Sequence, residues 1–83
     1  MTLQEEFEEA VNRTKELTQR PSNDVLLKLY ALYKQSTIGD VQGDLPNAMD
    51  FKATAKYRAW ESLKCKPANT CQKDYIDLVN SLE

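Results

Sequence analysis

The 83-residue sequence contains no histidine, two cysteines, two glycines and three prolines, and it has no long apolar run. The absence of histidine excludes the Ser-His-Asp and Cys-His arrangements, in which an imidazole takes the proton from the nucleophile. Two thiols are too few for a structural zinc ion, which takes four protein ligands. We therefore predict that the protein is not an enzyme, and we predict no catalytic residue, no metal site and no cofactor.

The length and the short apolar runs limit the organisation of the chain. A chain of this size buries only about 60% of the surface that its unfolded form exposes, so we predict one domain over residues 1–83. No stretch approaches the roughly 20 apolar residues of a membrane span, and the acidic residues 5–9 do not fit a secretory signal. We expect a monomer in the cytoplasm. Cys65 and Cys71 lie in a segment with helical spacing, and we expect both thiols to be free in a reducing compartment.

The charges are nearly balanced in total but unevenly distributed. Eleven basic and thirteen acidic residues give a net charge of −2, which argues against nucleic-acid binding. Residues 10–34 and 51–73 carry +3 and +5, whereas the ends and the segment between them are acidic. Charge runs are usually solvated helix surfaces. The basic body could also bind a polyanionic ligand or dock acidic proteins as an interaction module, and composition leaves these alternatives open.

Apolar residues recur at helical spacing in four segments. The first helix carries an apolar stripe that continues to Leu17, and Arg20 and Pro21 end it. The second helix begins after the capping cluster at residues 22–24 and runs to about Ser36. The stripes of the third and fourth helices consist of Phe51, Ala55, Ala59, Trp60 and Leu63, and of Cys71, Tyr75, Leu78, Val79 and Leu82.

The second and third helices are separated by about fourteen residues that contain both glycines and Pro46. Such a long connection in a four-helix protein commonly carries the chain past a neighbouring helix. Three of its residues are acidic, but their spacing does not match a calcium-binding EF-hand loop. Pro67 suits the first turn of the last helix, where its missing N–H costs nothing.

Tyr30, Tyr33 and Lys34 share one face of the second helix, because residues three and four apart are neighbours on a helix surface. Two phenol rings and an ammonium group can stack on a base and neutralise a phosphate, so the trio suits a phosphorylated aromatic ligand. Tyrosines at this spacing also often serve as packing residues.

Residues 21–39, PSNDVLLKLYALYKQSTIG, resemble the signature of the acyl-CoA-binding protein family. The resemblance extends over essentially the whole chain and includes Ala55-Lys56, Ala59-Trp60 and Tyr75. It implies an all-α four-helix bundle with up-down-down-up topology, in which the long connection is an overhand loop between helices 2 and 3. The matching positions of the signature are Pro21, Asp24, Leu26, Tyr30, Tyr33, Lys34, Gln35 and Gly39.

The resemblance also implies a function: non-catalytic binding and transport of medium- to long-chain fatty acyl-CoA, exchanged with the enzymes that make and consume it. It implies that Tyr33 stacks on the adenine ring. The residues implied to hold the 3′-phosphate of the ribose are Tyr30, Lys34 and Lys56. Lys15 is expected beside the nucleotide head, and Tyr75 is expected to close over the ligand where the acyl chain enters its groove.

Further positions follow from the same resemblance. Arg20 and Lys52 match basic positions near the phosphates, and Leu26, Leu27 and Tyr57 are further secondary candidates. Tyr57 stands where the family usually has a tryptophan that lines the acyl groove, and Cys65 stands where glycine often ends the third helix. We assign structural roles to Phe7 and Asp50, and we place Trp60 in the core.

Overall fold

The computed structural model describes residues 2–47 and 49–82, which form four helices and no strand. The helices are α1 (Leu3–Thr14), α2 (Asn23–Thr37), α3 (Phe51–Glu61) and α4 (Ala68–Leu82). Helix α2 packs against both α3 and α4, and α4 also packs against α1. The predicted all-α four-helix class and the long connection between α2 and α3 are confirmed. No helix in the described ranges has the length and apolar character to span a membrane.

The helix starts follow from side chains that accept hydrogen bonds from the first turn. Ser22 Oγ accepts from the backbone N–H of Val25 at 3.3 Å, and Asp50 Oδ1 accepts from that of Ala53 at 3.1 Å. The predicted capping cluster before α2 and the structural role of Asp50 are thereby confirmed.

The first helix is shorter than its apolar stripe predicts. It ends at Thr14, whose hydroxyl donates to the Val11 carbonyl at 2.6 Å, and the next two amides bond to carbonyls three residues back. Such hydroxyl bonds and tighter turns compete with continued α-helix. Leu17, which we predicted within the helix, is half-buried in the following segment, and the predicted end near Arg20 is wrong.

The turn between α3 and α4 separates the two cysteines. Cys65 has a φ of 71° and is exposed between the helices, whereas Cys71 is fully buried in α4, and both thiols are free. The prediction that one helical segment contains both cysteines is therefore wrong. Pro67 lies immediately before α4 rather than inside its first turn, and its carbonyl accepts from the Cys71 amide at 3.1 Å.

The hydrophobic core joins α1, α2 and α4 but receives no fully buried residue from α3. Phe51 is 79% exposed, so the predicted buried stripe of α3 is wrong at its first position. Three side chains of α3 donate hydrogen bonds to the long loop: Trp60 Nε1 to the Gly39 carbonyl at 2.8 Å, Tyr57 Oη to the Gly43 carbonyl at 3.1 Å, and Thr54 Oγ1 to the Asn47 carbonyl at 3.4 Å. The core residues are Phe7, Ala10, Leu29, Leu32, Cys71, Tyr75 and Val79.

Side-chain hydrogen bonds connect the C-terminal end of α2 to two other segments. Gln35 is buried, and its Nε2 donates to Asp40 Oδ1 at 2.8 Å and to the Lys66 carbonyl at 3.1 Å. Asp40 Oδ1 also accepts from the Cys65 amide at 2.7 Å. These bonds join the end of α2, the start of the long loop and the α3–α4 turn.

Replacing Cys65 by glycine should stabilise the protein by about 1 kcal/mol, because a left-handed backbone strains any residue that carries a Cβ. The control is Cys65→Ala, which removes the thiol and keeps the Cβ. Urea unfolding under reducing conditions measures both variants against the parent chain. Equal stability of the glycine and alanine variants would show that the backbone at this position is not strained.

Asp40→Asn should remove a pH-dependent part of the stability. The hydrogen bond from Gln35 and the one from the Cys65 amide hold the pKa of Asp40 below its usual value. The contribution is present above the unfolded-state pKa of about 3.9 and is lost as the pH falls through the lower folded-state pKa. The difference in Tm between the parent chain and Asp40→Asn should therefore shrink below about pH 4. Asp44→Asn, in the same loop, is the control; a difference that does not change with pH would contradict the prediction.

Candidate functional site

Two lysines from different helices converge on the ring of Tyr30. Lys34 Nζ lies 5.7 Å from the centroid of this ring, and Lys56 Nζ lies 5.4 Å from it. Lys34 Nζ is also 5.8 Å from the ring centroid of Trp60. All three distances are within the range of cation–π attraction. We call these four residues, Tyr30, Lys34, Lys56 and Trp60, the lysine–aromatic cluster.

Helical spacing produces this cluster. Tyr30 and Lys34 are four residues apart on α2, and Lys56 and Trp60 are four residues apart on α3, so each pair shares one helix face. The packing of α2 against α3 brings the two faces together. The structure thus brings together the three residues predicted to hold a phosphate, and it adds Trp60.

A second group of rings continues the site toward α1 and α4. The ring of Phe7 stacks on that of Tyr33 with centroids 6.0 Å apart, and it meets the ring of Tyr75 edge-on at 5.1 Å. Phe7 and Tyr75 are buried, whereas Tyr33 is 40% exposed. Tyr33 therefore offers an accessible ring that is supported from within the protein by Phe7.

Tyr75 belongs to the core in this structure. Burial raises the pKa of its hydroxyl, and a hydrogen bond with Thr14 partly opposes that rise, so the phenol is uncharged at neutral pH. Its contact with Phe7 gives Tyr75 a packing role. The predicted closure of Tyr75 over a ligand stays a prediction.

Three further basic residues were predicted near the ligand: Lys15, Arg20 and Lys52. Lys15 is the exposed C-cap of α1, and Arg20 Nη1 donates to Asn23 Oδ1 at 3.3 Å. Lys52 lines a shallow surface depression beside Phe51. The structure places none of these three basic side chains in the lysine–aromatic cluster, so their predicted role near the ligand is untested.

An apolar cavity of about 370 Å³ lies between α2, α3 and α4. Leu27, one of the secondary candidates, lines it and precedes Tyr30 by three residues on α2, whereas none of the four residues of the lysine–aromatic cluster lines it. Leu26, next to Leu27, and Tyr57, next to Lys56, are both half-buried. The apolar residues that line the cavity include Val25, Leu27, Ala31, Ala59, Leu63 and Leu78.

The predicted place of Trp60 in the core is wrong. Trp60 is half-buried, is not among the core residues, and faces the ammonium of Lys34. The signal was its spacing of four residues from Lys56, which places both on one face of α3. Phe7 is buried as predicted, but its contacts with Tyr33 and Tyr75 depend on the packing of three helices and have no signal in the local sequence.

Comparison with known proteins gives matches over nearly the whole chain. A family model described as acyl CoA binding protein matches residues 4–79. The acyl-CoA-binding protein of Saccharomyces cerevisiae is 46% identical over 76 residues, which cover 92% of this chain and 87% of that protein. The crystal structure of Oryza sativa acyl-CoA-binding protein 2 matches with a TM-score of 0.92 and 40% identity, over 98% of this chain and 90% of that chain.

A longer relative contains a similar segment. Enoyl-CoA delta isomerase 2 of Rattus norvegicus is 46% identical over 79 residues, which cover 95% of this chain and only 20% of the isomerase. The similarity therefore concerns one part of that protein. The family match over residues 4–79, together with the agreement in sequence and fold with relatives of similar length, shows that this chain belongs to the acyl-CoA-binding protein family.

Proposed function

We propose that this protein binds fatty acyl-CoA thioesters without covalent chemistry and carries them between the enzymes that produce and consume them. The observation that carries the proposal is the convergence of Lys34 and Lys56 on Tyr30, on a helix that also presents the exposed ring of Tyr33 and lines an apolar cavity. An acyl-CoA has the matching parts: a phosphorylated ribose, a purine base and a long hydrocarbon chain.

The lysine–aromatic cluster suits the 3′-phosphate of the ribose. A phosphate monoester is close to a dianion at neutral pH, so more than one positive donor is needed to neutralise it. Each charge-assisted hydrogen bond contributes about 1.5–3 kcal/mol. Because Lys34 and Lys56 belong to different helices, only the folded protein brings both to one phosphate. This requirement favours CoA esters over free fatty acids.

Tyr33 suits the adenine ring. Its ring is 40% exposed and stacks on the buried ring of Phe7, so its position is fixed before a base arrives. Base–aromatic stacking contributes about 1–3 kcal/mol per base. Tyr33 also directly precedes Lys34 in α2, which places the base platform and the phosphate donors side by side.

Burial of the acyl chain makes the largest apolar contribution to the free energy of binding. Burying a sixteen-carbon chain at about 0.8 kcal/mol per methylene gives roughly 12 kcal/mol before ordering costs. The cavity that Leu27 lines is predominantly apolar and shares α2 with the lysine–aromatic cluster, so it is the candidate location for part of the chain. Tyr57 donates its hydroxyl proton to the Gly43 carbonyl, so the phenol leaves no unpaired donor beside apolar ligand atoms.

The residues of the proposed site bind and do not react. Tyrosine rings and lysine ammonium groups stack, donate hydrogen bonds and neutralise charge, and the chain has no histidine to act as a general base near neutral pH. We therefore propose a carrier that leaves the thioester intact and limits the free concentration of a detergent-like ligand. We place this carrier, as a monomer, in the cytoplasm.

Calorimetric titration with palmitoyl-CoA, CoA and palmitate tests the proposal. We expect tight binding of palmitoyl-CoA and weak binding of the other two, because each of them lacks one half of the matching contacts. Comparable affinity for palmitate and palmitoyl-CoA would contradict the proposed recognition of the CoA head.

Lys34→Ala and Lys56→Ala should each weaken binding of palmitoyl-CoA by about 10- to 100-fold, corresponding to the loss of one charge-assisted hydrogen bond. Binding of palmitoyl-dephospho-CoA, which lacks the 3′-phosphate, should change much less. Lys73→Ala, at an exposed position on α4, is the control for a general loss of positive charge. Equal losses for the two ligands would show that neither lysine contacts the phosphate.

A further inference from the structure

Trp60, in α3, is hydrogen-bonded to the C-terminal end of α2, which carries Lys34, through Gly39. Its Nε1–H donates to the carbonyl of Gly39 at 2.8 Å, and the Gly39 amide donates to the carbonyl of Lys34 at 3.2 Å. The indole ring is therefore connected by hydrogen bonds to the end of α2 that carries Lys34. The ammonium of that lysine lies 5.8 Å from the centroid of the indole ring.

The two site lysines share one ring, and this creates an electrostatic cost. Lys34 and Lys56 both place Nζ within 6 Å of the Tyr30 centroid, so two like charges lie around one ring and repel each other. The negative faces of aromatic rings attract ammonium groups and offset this repulsion. Lys34 has a second ring, that of Trp60, which contacts its ammonium from α3.

We propose that Trp60 is a positioning residue for ligand binding: its indole face holds the Lys34 ammonium beside Tyr30 and Lys56 before the phosphate arrives. This proposal rests on the proposed function, because it assigns the phosphate of acyl-CoA to that ammonium. The hydrogen bond to Gly39 ties the indole to the loop that follows α2, and the attraction for the ammonium comes from the ring face. The ring in turn restricts the long lysine side chain without neutralising its charge.

The expected effect on affinity follows from the flexibility of lysine. Ordering one long side chain on binding lowers affinity by about two- to tenfold, and a side chain that is already positioned avoids that loss. Removing the indole ring should therefore weaken phosphate recognition by about two- to tenfold while Lys34 itself remains.

The test compares Trp60→Leu, which removes the ring, with Trp60→Phe, which keeps an aromatic face but loses the N–H group. Each variant is titrated with palmitoyl-CoA and palmitoyl-dephospho-CoA. We expect Trp60→Leu to lose about two- to tenfold in affinity for palmitoyl-CoA and little for the dephospho ligand, and Trp60→Phe to recover most of the loss. Val79→Ala, a core change in α4, is the control for reduced stability, and it should leave the ratio of the two affinities unchanged.

Equal losses of Trp60→Leu for the two ligands would overturn the proposal, because the effect would then be general to the fold. A Trp60→Phe variant as weak as Trp60→Leu would also overturn it, since the hydrogen bond and not the ring face would then be responsible.

A measurement on the unchanged protein covers the case in which Trp60→Leu does not fold. In the ligand-free chain we expect nuclear Overhauser effects between the indole protons of Trp60 and the ε-methylene protons of Lys34, and their absence would overturn the proposal. This result does not depend on ligand binding. A parent chain that binds palmitoyl-CoA and its dephospho form equally would instead reject the phosphate part of the proposed function.

Discussion

The structure depends on the two different faces of α2. With 3.6 residues per turn, Leu29 and Leu32 point into the core shared with α1 and α4, while Tyr30 and Lys34 lie on the face that meets α3. One helix therefore anchors the core and presents the site. A shift of α2 by one residue would turn both faces by about 100°, so the packing that stabilises the fold also fixes the orientation of Tyr30 and Lys34.

Helix α3 is the weakly buried partner in this arrangement. It contributes no fully buried residue, yet it supplies Lys56 and Trp60. Its half-buried surface and the bonds from Tyr57 and Trp60 to loop carbonyls hold it against α2. Segments with little buried apolar surface open at lower free energy than core helices. The convergence of the two lysines thus depends on the long loop as well as on the core.

The sequence predicts those features that depend on local spacing. The four helices, the cap at Ser22 and the shared face of Tyr30 and Lys34 follow from residues within a few positions of each other. The errors concern the ends of helices, at Thr14 and near Cys65, and contacts between distant segments. The position of Trp60 depends on the Gly39 carbonyl, 21 residues earlier, and no periodicity within α3 distinguishes that contact from burial in the core. The family resemblance indicated the lysines, but it did not indicate which rings would hold them.

In the part of the chain that the structure describes, Lys34 and Lys56 lie beside aromatic rings and form no ion pair with a carboxylate, which explains how the site keeps its charge. Lys66, away from the cluster, pairs with Asp74 at 2.7 Å, and its hydrogen bond to that carboxylate raises the pKa of Lys66. A carboxylate beside Lys34 would compete with a phosphate for the same ammonium. A ring face attracts the ammonium by its quadrupole and carries no net charge, so the positive charge remains available to an anion. A chain with a net charge of −2 can therefore concentrate positive charge at one place, provided that rings hold it there.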